Sequence, residues 1–360
     1  MRELFLHVGM HKTGTTSVQR TCQANRALLA ASGISYLEAR EPNHSRTVFS
    51  AYAEEPHTYH VNRRDGLHEP GPAADYAARC RDLLLGFLAG APGPRLLVSG
   101  EDIGMLSEAA TARMLAEFRP LVDRIVVVGL VRPPRGYMIS AAQQRIRGGS
   151  RLEDLPDGTQ PRYRFRFAKF RDAPEVAELR LRPFARATLE RGCAVATTLA
   201  LCGAPPELYD RLAVDRANVS ASRPGVALSL AANEVAPVFR PDGSANPERA
   251  RRLVRFLEEL DGPRFTLPET LLAPWLAEEA EDIAWMEEVL AAPLGPLDTP
   301  PAEGAGTDLR SLTWPEVQAL VRGLNALFLD REAARPARAP AAMPDQRRAR
   351  RRARREGARP

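Results

Sequence analysis

The stretch ELFLHVGMHKTGTTS, residues 3–17, decides how the rest of the chain is read. Its first seven residues are mostly apolar and alternate poorly, as a strand buried on both faces of a parallel sheet should. Gly9 and Gly14 then bound a G-x-x-x-x-G loop. Beyond it Val18, Cys22 and Leu29 fall on one helical face, predicting a helix from about 15 to 31 that Gly33 closes. Such a loop can be an ordinary strand-to-helix turn. Its amides and the helix N-terminus nevertheless make a cradle for an anion, and a lysine sits inside it. Lysine occurs only at Lys12 and Lys169 among the 50 basic residues. A lysine kept at a loop centre against that bias points to a need for a mobile point charge rather than a planar guanidinium. Thr13, Thr15, Thr16 and Ser17 add hydroxyls, and His11 is placed to shape the loop.

Outward from this loop, ISYL (34–37) is a candidate second strand. Residues 38–72 show no sustained period and are expected to form an irregular, lid-like excursion. A helix is predicted over 73–88, a strand over RLLVSGED (95–102), and a helix over 107–118 with Ser107 as its N-cap. RIVVVGLV (124–131) is the strongest strand pattern and belongs at the sheet centre. Pro133 and Pro134 then open a helix that Gly148 and Gly149 end. This alternation predicts an α/β fold, a parallel sheet flanked by helices. From about 170 onward helical patterns dominate, including 247–260 and 276–290. The expected organisation is one domain over 1–330, mainly helical from about 225, and a disordered Arg-rich tail over 331–360.

The tail accounts for the net charge of +5. Residues 331–360 contain 11 arginines against Glu332, Asp345 and Glu356, so the rest of the chain is slightly acidic. That excludes a broadly basic domain built to coat nucleic acid. The tail has little to bury, which makes it a solubilising extension or a contact for an anionic surface. Cys22, Cys80, Cys193 and Cys202 lack C-x-x-C spacing, so neither a zinc site nor a disulfide framework is indicated. Without a signal peptide or a transmembrane run, the reading is a soluble cytoplasmic protein with buried thiols.

A nucleotide triphosphatase loop would place its lysine directly after the second glycine; here it lies inside. HKTGTTS after the first strand resembles the 5′-phosphosulfate loop of PAPS-dependent sulfotransferases, a P-loop family. Their second signature, a strand ending in Arg with a helical Ser eight residues on, matches Arg132 and Ser140 in VVVGLVRPPRGYMIS. The resemblance is nearest to bacterial sulfotransferase-like proteins and runs loosely through LVSGED, RLRPFARATLERG and RANVSASR to about residue 235. It implies a parallel α/β fold and PAPS as co-substrate without a metal. Residues 11–17 would hold the 5′-phosphosulfate, and Arg132 and Ser140 the 3′-phosphate. The Arg-Lys-Gly loop of cytosolic members has no counterpart, and Arg216, Asn218 and Arg223 are stand-ins for it. Independently of any family, an arginine leaving the carboxyl end of a strand sits where ligands collect in open α/β sheets.

Sulfuryl transfer needs a cation at the leaving phosphate and a group to take the acceptor's proton. Lys12 suits the first role. Glu101, ending the 95–102 strand, suits the second, with His44 its rival. His57, His60 and His68 read as surface residues. The acceptor, a hydroxyl or amine of a glycan, lipid headgroup or small phenol, is not identified by the sequence. A nucleotide-binding relative without transfer activity and a Mg-dependent kinase are the other classes left open.

Overall fold

The computed structural model describes residues 1–215, 221–240, 246–258, 260, 264–299 and positions 317, 321, 324 and 325. The apolar run after Arg2 forms β1 (Glu3–His7), joined by β2 (Ile34–Tyr36), β3 (Arg95–Ser99), β4 (Arg124–Val131) and β5 (Val176–Pro183). The strand order is β2-β3-β1-β4-β5, and every pairing is parallel. β1 is therefore central, flanked by β3 and β4, and the loop after it opens at the carboxyl edge of the sheet.

Successive side chains leave a strand on opposite faces, and both faces of this sheet are covered. Leu4, Leu6 and Val8 join Ile125 and Val127 in one core. It is closed by helices Pro70–Gly90, Glu108–Phe118, Tyr163–Arg171 and Ala280–Leu290. Phe5, Val126, Val128 and Leu130 face the other way, onto Val18 and Cys22 of helix Thr15–Ala24 and Val195 and Leu199 of helix Ala194–Leu201. The α/β arrangement read from the sequence is thus present. Ser107 caps its helix, its Oγ accepting from the Ala110 amide at 3.0 Å.

Three expectations change. The segment after 170 contains β5, an edge strand in which Leu179 and Leu181 alternate with Glu178, Arg180 and Arg182. Its half-buried pattern was overshadowed by the helical periods around it. The predicted helix over 15–31 is two, Thr15–Ala24 and Arg26–Ala31, with Asn25 between them. The excursion over 38–72 is helical at Ser45–Tyr52, which is largely buried, and at His60–Arg64, where Asn62 alone is buried. Its order rests on polar contacts that hydrophobic periodicity misses. Asn62, wholly buried, donates to Ser50 Oγ at 2.8 Å and to the Pro56 carbonyl at 2.9 Å, and accepts from Arg46 Nε at 3.0 Å.

Helix Pro134–Arg147 joins the sheet to the helical C-terminal part. Tyr137 and Ala141 belong to the main core. Met138, Ala142 and Ile146 pack on Val226 and Leu230 of helix Arg223–Val235 and on Leu272 and Trp275 of helix Glu269–Glu278. Among the described residues no helix is long and apolar enough to cross a membrane. The tail over 331–360 lies outside the described residues.

Candidate functional site

Two glycines let the loop lie flat against the strand ends. A Cβ on Gly129 of β4 would come within 2.9 Å of the Gly9 carbonyl oxygen, and one on Gly9, at φ +98°, within 3.0 Å of Glu101 Cβ. Lys12 itself holds a left-handed φ of +68°, an uncommon state for a residue with a Cβ. Arg132 braces it: its Nη1 donates to the Lys12 carbonyl at 2.6 Å. The arginine that ends β4 is therefore part of the loop's own scaffold.

His11 ties the loop on its other side. Arg166 Nη1 lies 3.0 Å from His11 Nδ1, and Asp102 Oδ1 lies 2.8 Å from Nε2. A guanidinium can only donate, so Nδ1 accepts and Nε2 carries the proton, which it gives to Asp102. Tyr59 Oη donates to the second Asp102 oxygen at 2.5 Å. Burial pushes the Asp102 carboxyl up, but His11 and Tyr59 outweigh it and hold the group below its usual range. Arg166, 4% exposed, also donates to Tyr137 Oη at 2.9 Å and to the Pro161 carbonyl at 2.8 Å. His11 is a neutral link between an anion and a cation, suited to shaping the loop.

The hydroxyls divide. Thr13 is buried and spends its Oγ1 on the Met10 carbonyl at 2.6 Å, so it braces the loop instead of facing a ligand. Thr15 and Ser17 are buried, whereas Thr16 is exposed at the start of helix Thr15–Ala24. That helix begins at Gly14 without a side-chain cap. By contrast, the first amides of helix Pro134–Arg147 are taken by Asp298, which accepts from Arg135 N at 2.7 Å and Gly136 N at 2.8 Å. Of these two helix starts at the sheet edge, the loop's own keeps its amides clear of any side-chain cap.

Electrostatics single out Lys12. Burial and the nearby guanidiniums of Arg132 and Arg147 push its ammonium down to about 8, with Glu101 opposing. Arg132 is likewise lowered to about 10 by burial and by Arg264. Half-buried cations this close disfavour one another's protons, and an anion lying among them would relieve that. Lys12 also lines two cavities. One, about 480 Å³, is bounded by Thr16, Gln143, Arg147, Ser229, Arg249 and Glu258. The other, about 400 Å³, is bounded by His11, Asp102, Tyr137, Gln144, Arg145 and Arg166. Helix Pro134–Arg147 separates them, presenting Gln143 and Arg147 to the first and Tyr137, Ala141 and Gln144 to the second. Half-buried Ser140 shares the helical face of Gln143 and Arg147.

Glu101 follows β3 at the start of a short 3-10 turn, Glu101–Met105. Its oxygens accept from Gln19 Nε2 at 2.8 Å and Asn43 Nδ2 at 3.1 Å, and it lines neither cavity. His44 is fully buried, its Nδ1 accepting from the Ser99 amide at 3.0 Å, and burial lowers it to about 3. It is a neutral histidine packed on Tyr36 with ring centroids 4.6 Å apart, placed to hold the excursion against β3. His60 and His68 are exposed and His57 half-buried; of the four cysteines, Cys193 is only half-buried. Arg216 and Asn218 lie outside the described residues.

Sequence reasoning missed Lys169, Asp102, Tyr59, Arg166 and Asp298. Lys169 Nζ donates to the Gly104 carbonyl at 2.8 Å and to the Leu106 carbonyl, pinning the turn that carries Glu101 and Asp102. Its rarity was its one visible mark. The contacts that tie the others to the loop and to helix Pro134–Arg147 join residues 29 or more apart in sequence and leave no local pattern. No protein-family model matches the chain, and no curated protein matches it.

Proposed function

We propose that this protein is a sulfotransferase of P-loop type that moves a sulfuryl group from PAPS to a hydroxyl or amine. The observation that carries the reading is Lys12, a cation lining two separate cavities, as a reaction joining two bound molecules requires. The cation cluster fits a phosphosulfate, and the uncapped start of helix Thr15–Ala24 supplies amides for its oxygens.

PAPS would supply the sulfuryl group. Lys12 would neutralise the charge that grows on the leaving 5′-phosphate as the sulfur–oxygen bond breaks. Arg132 would keep Lys12 in its left-handed turn, and with Ser140 meet the 3′-phosphate. Glu101 would take the proton the acceptor releases on bonding to sulfur, its two amide partners leaving each carboxylate oxygen a further lone pair. The cavity lined by His11, Tyr137 and Arg166 would receive the acceptor. A glycan or lipid headgroup is compatible with its polar lining, and the tail over 331–360 would add attraction to anionic surfaces.

A nucleotide-binding relative without transfer is the second reading, favoured by the position of Glu101 outside both cavities. Calorimetry with 3′-phosphoadenosine 5′-phosphate and ATP, with and without Mg²⁺, separates both from a kinase. Metal-independent preference for the bisphosphate is expected. Labelled-sulfate transfer from PAPS into cell extract then separates transfer from binding. Glu101→Gln should abolish that transfer while leaving bisphosphate affinity within about twofold, the pattern of a group acting in the transition state. Transfer undiminished in this variant would remove Glu101 from the mechanism.

A further inference from the structure

The larger cavity contains a charge that the loop does not explain. Arg249 is 9% exposed and lines the cavity together with Lys12 and Thr16. Its Nη1 donates to the Ala236 carbonyl at 3.0 Å, its Nε is buried with no hydrogen-bond partner, and no carboxylate among the described residues pairs with it. Burial pushes its guanidinium down to about 10. Among the described residues the cavity's other charges are Arg147 and Glu258, which form an ion pair with each other. What remains is two cations from distant parts of the chain, Lys12 and Arg249, facing one space. Burying an uncompensated guanidinium is costly, and a bound oxyanion removes that cost.

The position is built. The Arg249 amide donates to the Asn246 carbonyl at 3.1 Å. The next residue is held from farther along the chain, the Ala250 amide donating to Asn325 Oδ1 at 3.3 Å while Asn325 Nδ2 donates to the Glu248 carbonyl at 2.7 Å.

We infer that Arg249 is a second anion-binding position in this cavity, taking a phosphate-type oxyanion while the loop around Lys12 holds the first. The oxyanion is either the second phosphate of the nucleotide, which rests on the function proposed above, or an anionic group on the co-reactant. Full-length wild type and Arg249→Gln are titrated calorimetrically with 3′-phosphoadenosine 5′-phosphate, with adenosine 5′-phosphate, and with inorganic phosphate before and after loading with the bisphosphate. If the nucleotide is the source, wild type prefers the bisphosphate at least about tenfold and the variant loses most of that preference without losing adenosine 5′-phosphate. If the co-reactant is the source, the preference survives but inorganic phosphate no longer binds the loaded variant. Should wild type bind no nucleotide, the proposed function falls, and inorganic phosphate on the free protein alone decides about Arg249. Unchanged binding of all three probes in the variant overturns the inference. Arg249→Met removes a buried charge but also the donor to the buried Ala236 carbonyl, so it is read by anion binding, which it should lose as Arg249→Gln does. Earlier melting with intact anion binding would mark Arg249 as a scaffold residue and overturn it as well.

Discussion

Raising the pH from 7 to 9 should strip this protein of most of its affinity for 3′-phosphoadenosine 5′-phosphate, and Lys12→Arg should abolish that dependence. An ordinary lysine, near 10.5, would stay charged throughout; burial and the flanking guanidiniums bring Lys12 to about 8. Below that value the ammonium is present and attracts the phosphate. Above it the free protein has lost the proton, and binding must take one up. Affinity is therefore full on the acid side and falls as pH rises, by about tenfold per pH unit above 8, or about 1.4 kcal/mol. Calorimetry in buffers of differing ionisation enthalpy reads both the affinity and the proton taken up, close to one per nucleotide at pH 9. The guanidinium of Lys12→Arg does not titrate in this range, so its affinity should be flat with pH. Its transfer activity should also be poor, since a rigid fork replaces a point charge in a tight loop. Lys12→Ala should bind weakly at every pH, lack turnover and melt like wild type. A flat wild-type profile to pH 9, or full activity in Lys12→Arg, would refute the account of this loop.

Ser140→Ala should weaken the bisphosphate several-fold and leave adenosine 5′-phosphosulfate unaffected in a competition assay. Arg132→Ala should weaken both, because it unbraces the Lys12 carbonyl, with an additional loss of about 2–3 kcal/mol for the bisphosphate if it also reads the 3′-phosphate; equal losses for both ligands would confine it to the loop. Lys169→Met should destabilise the fold by about 2–3 kcal/mol in urea titration as two buried carbonyls lose their donor. Burial depresses Lys169 to about 7 in the folded chain, so the unfolded chain binds more protons between there and 10.5. Wild-type stability should accordingly rise with pH across that window more steeply than the variant's. Deleting residues 331–360 should preserve folding and nucleotide affinity while removing any salt-sensitive binding to anionic vesicles; unfolding on deletion would move the domain boundary.

Much of this architecture was legible because it is local. The unbroken apolar runs of β1 and β4 read as strands buried on both faces, and G-x-x-x-x-G between strand and helix marks the turn that exposes the helix N-terminus. Arg132 and Ser140 could be assigned to a strand end and a helix face from spacing alone. β5 was obscured because an edge strand buries only half of each residue, leaving an alternation weaker than the helical periods beside it. The role of His44 was misleading in sequence: an imidazole in a polar segment resembles a base until Ser99 and Tyr36 enclose it.

What the sequence determined by itself was four of the sheet's five strands, the loop and the cation at its centre, since these follow from the period of side chains and the freedom of glycine within a few residues. Tertiary structure alone decided the rest. It made His11 a neutral link between Asp102 and Arg166, set Lys169 under the turn that bears Glu101, gave Lys12 two cavities, and left Arg249 without a carboxylate partner among the described residues in one of them. These outcomes depend on partners brought together from distant parts of the chain, and on desolvation, which exists only once the chain has closed around a group.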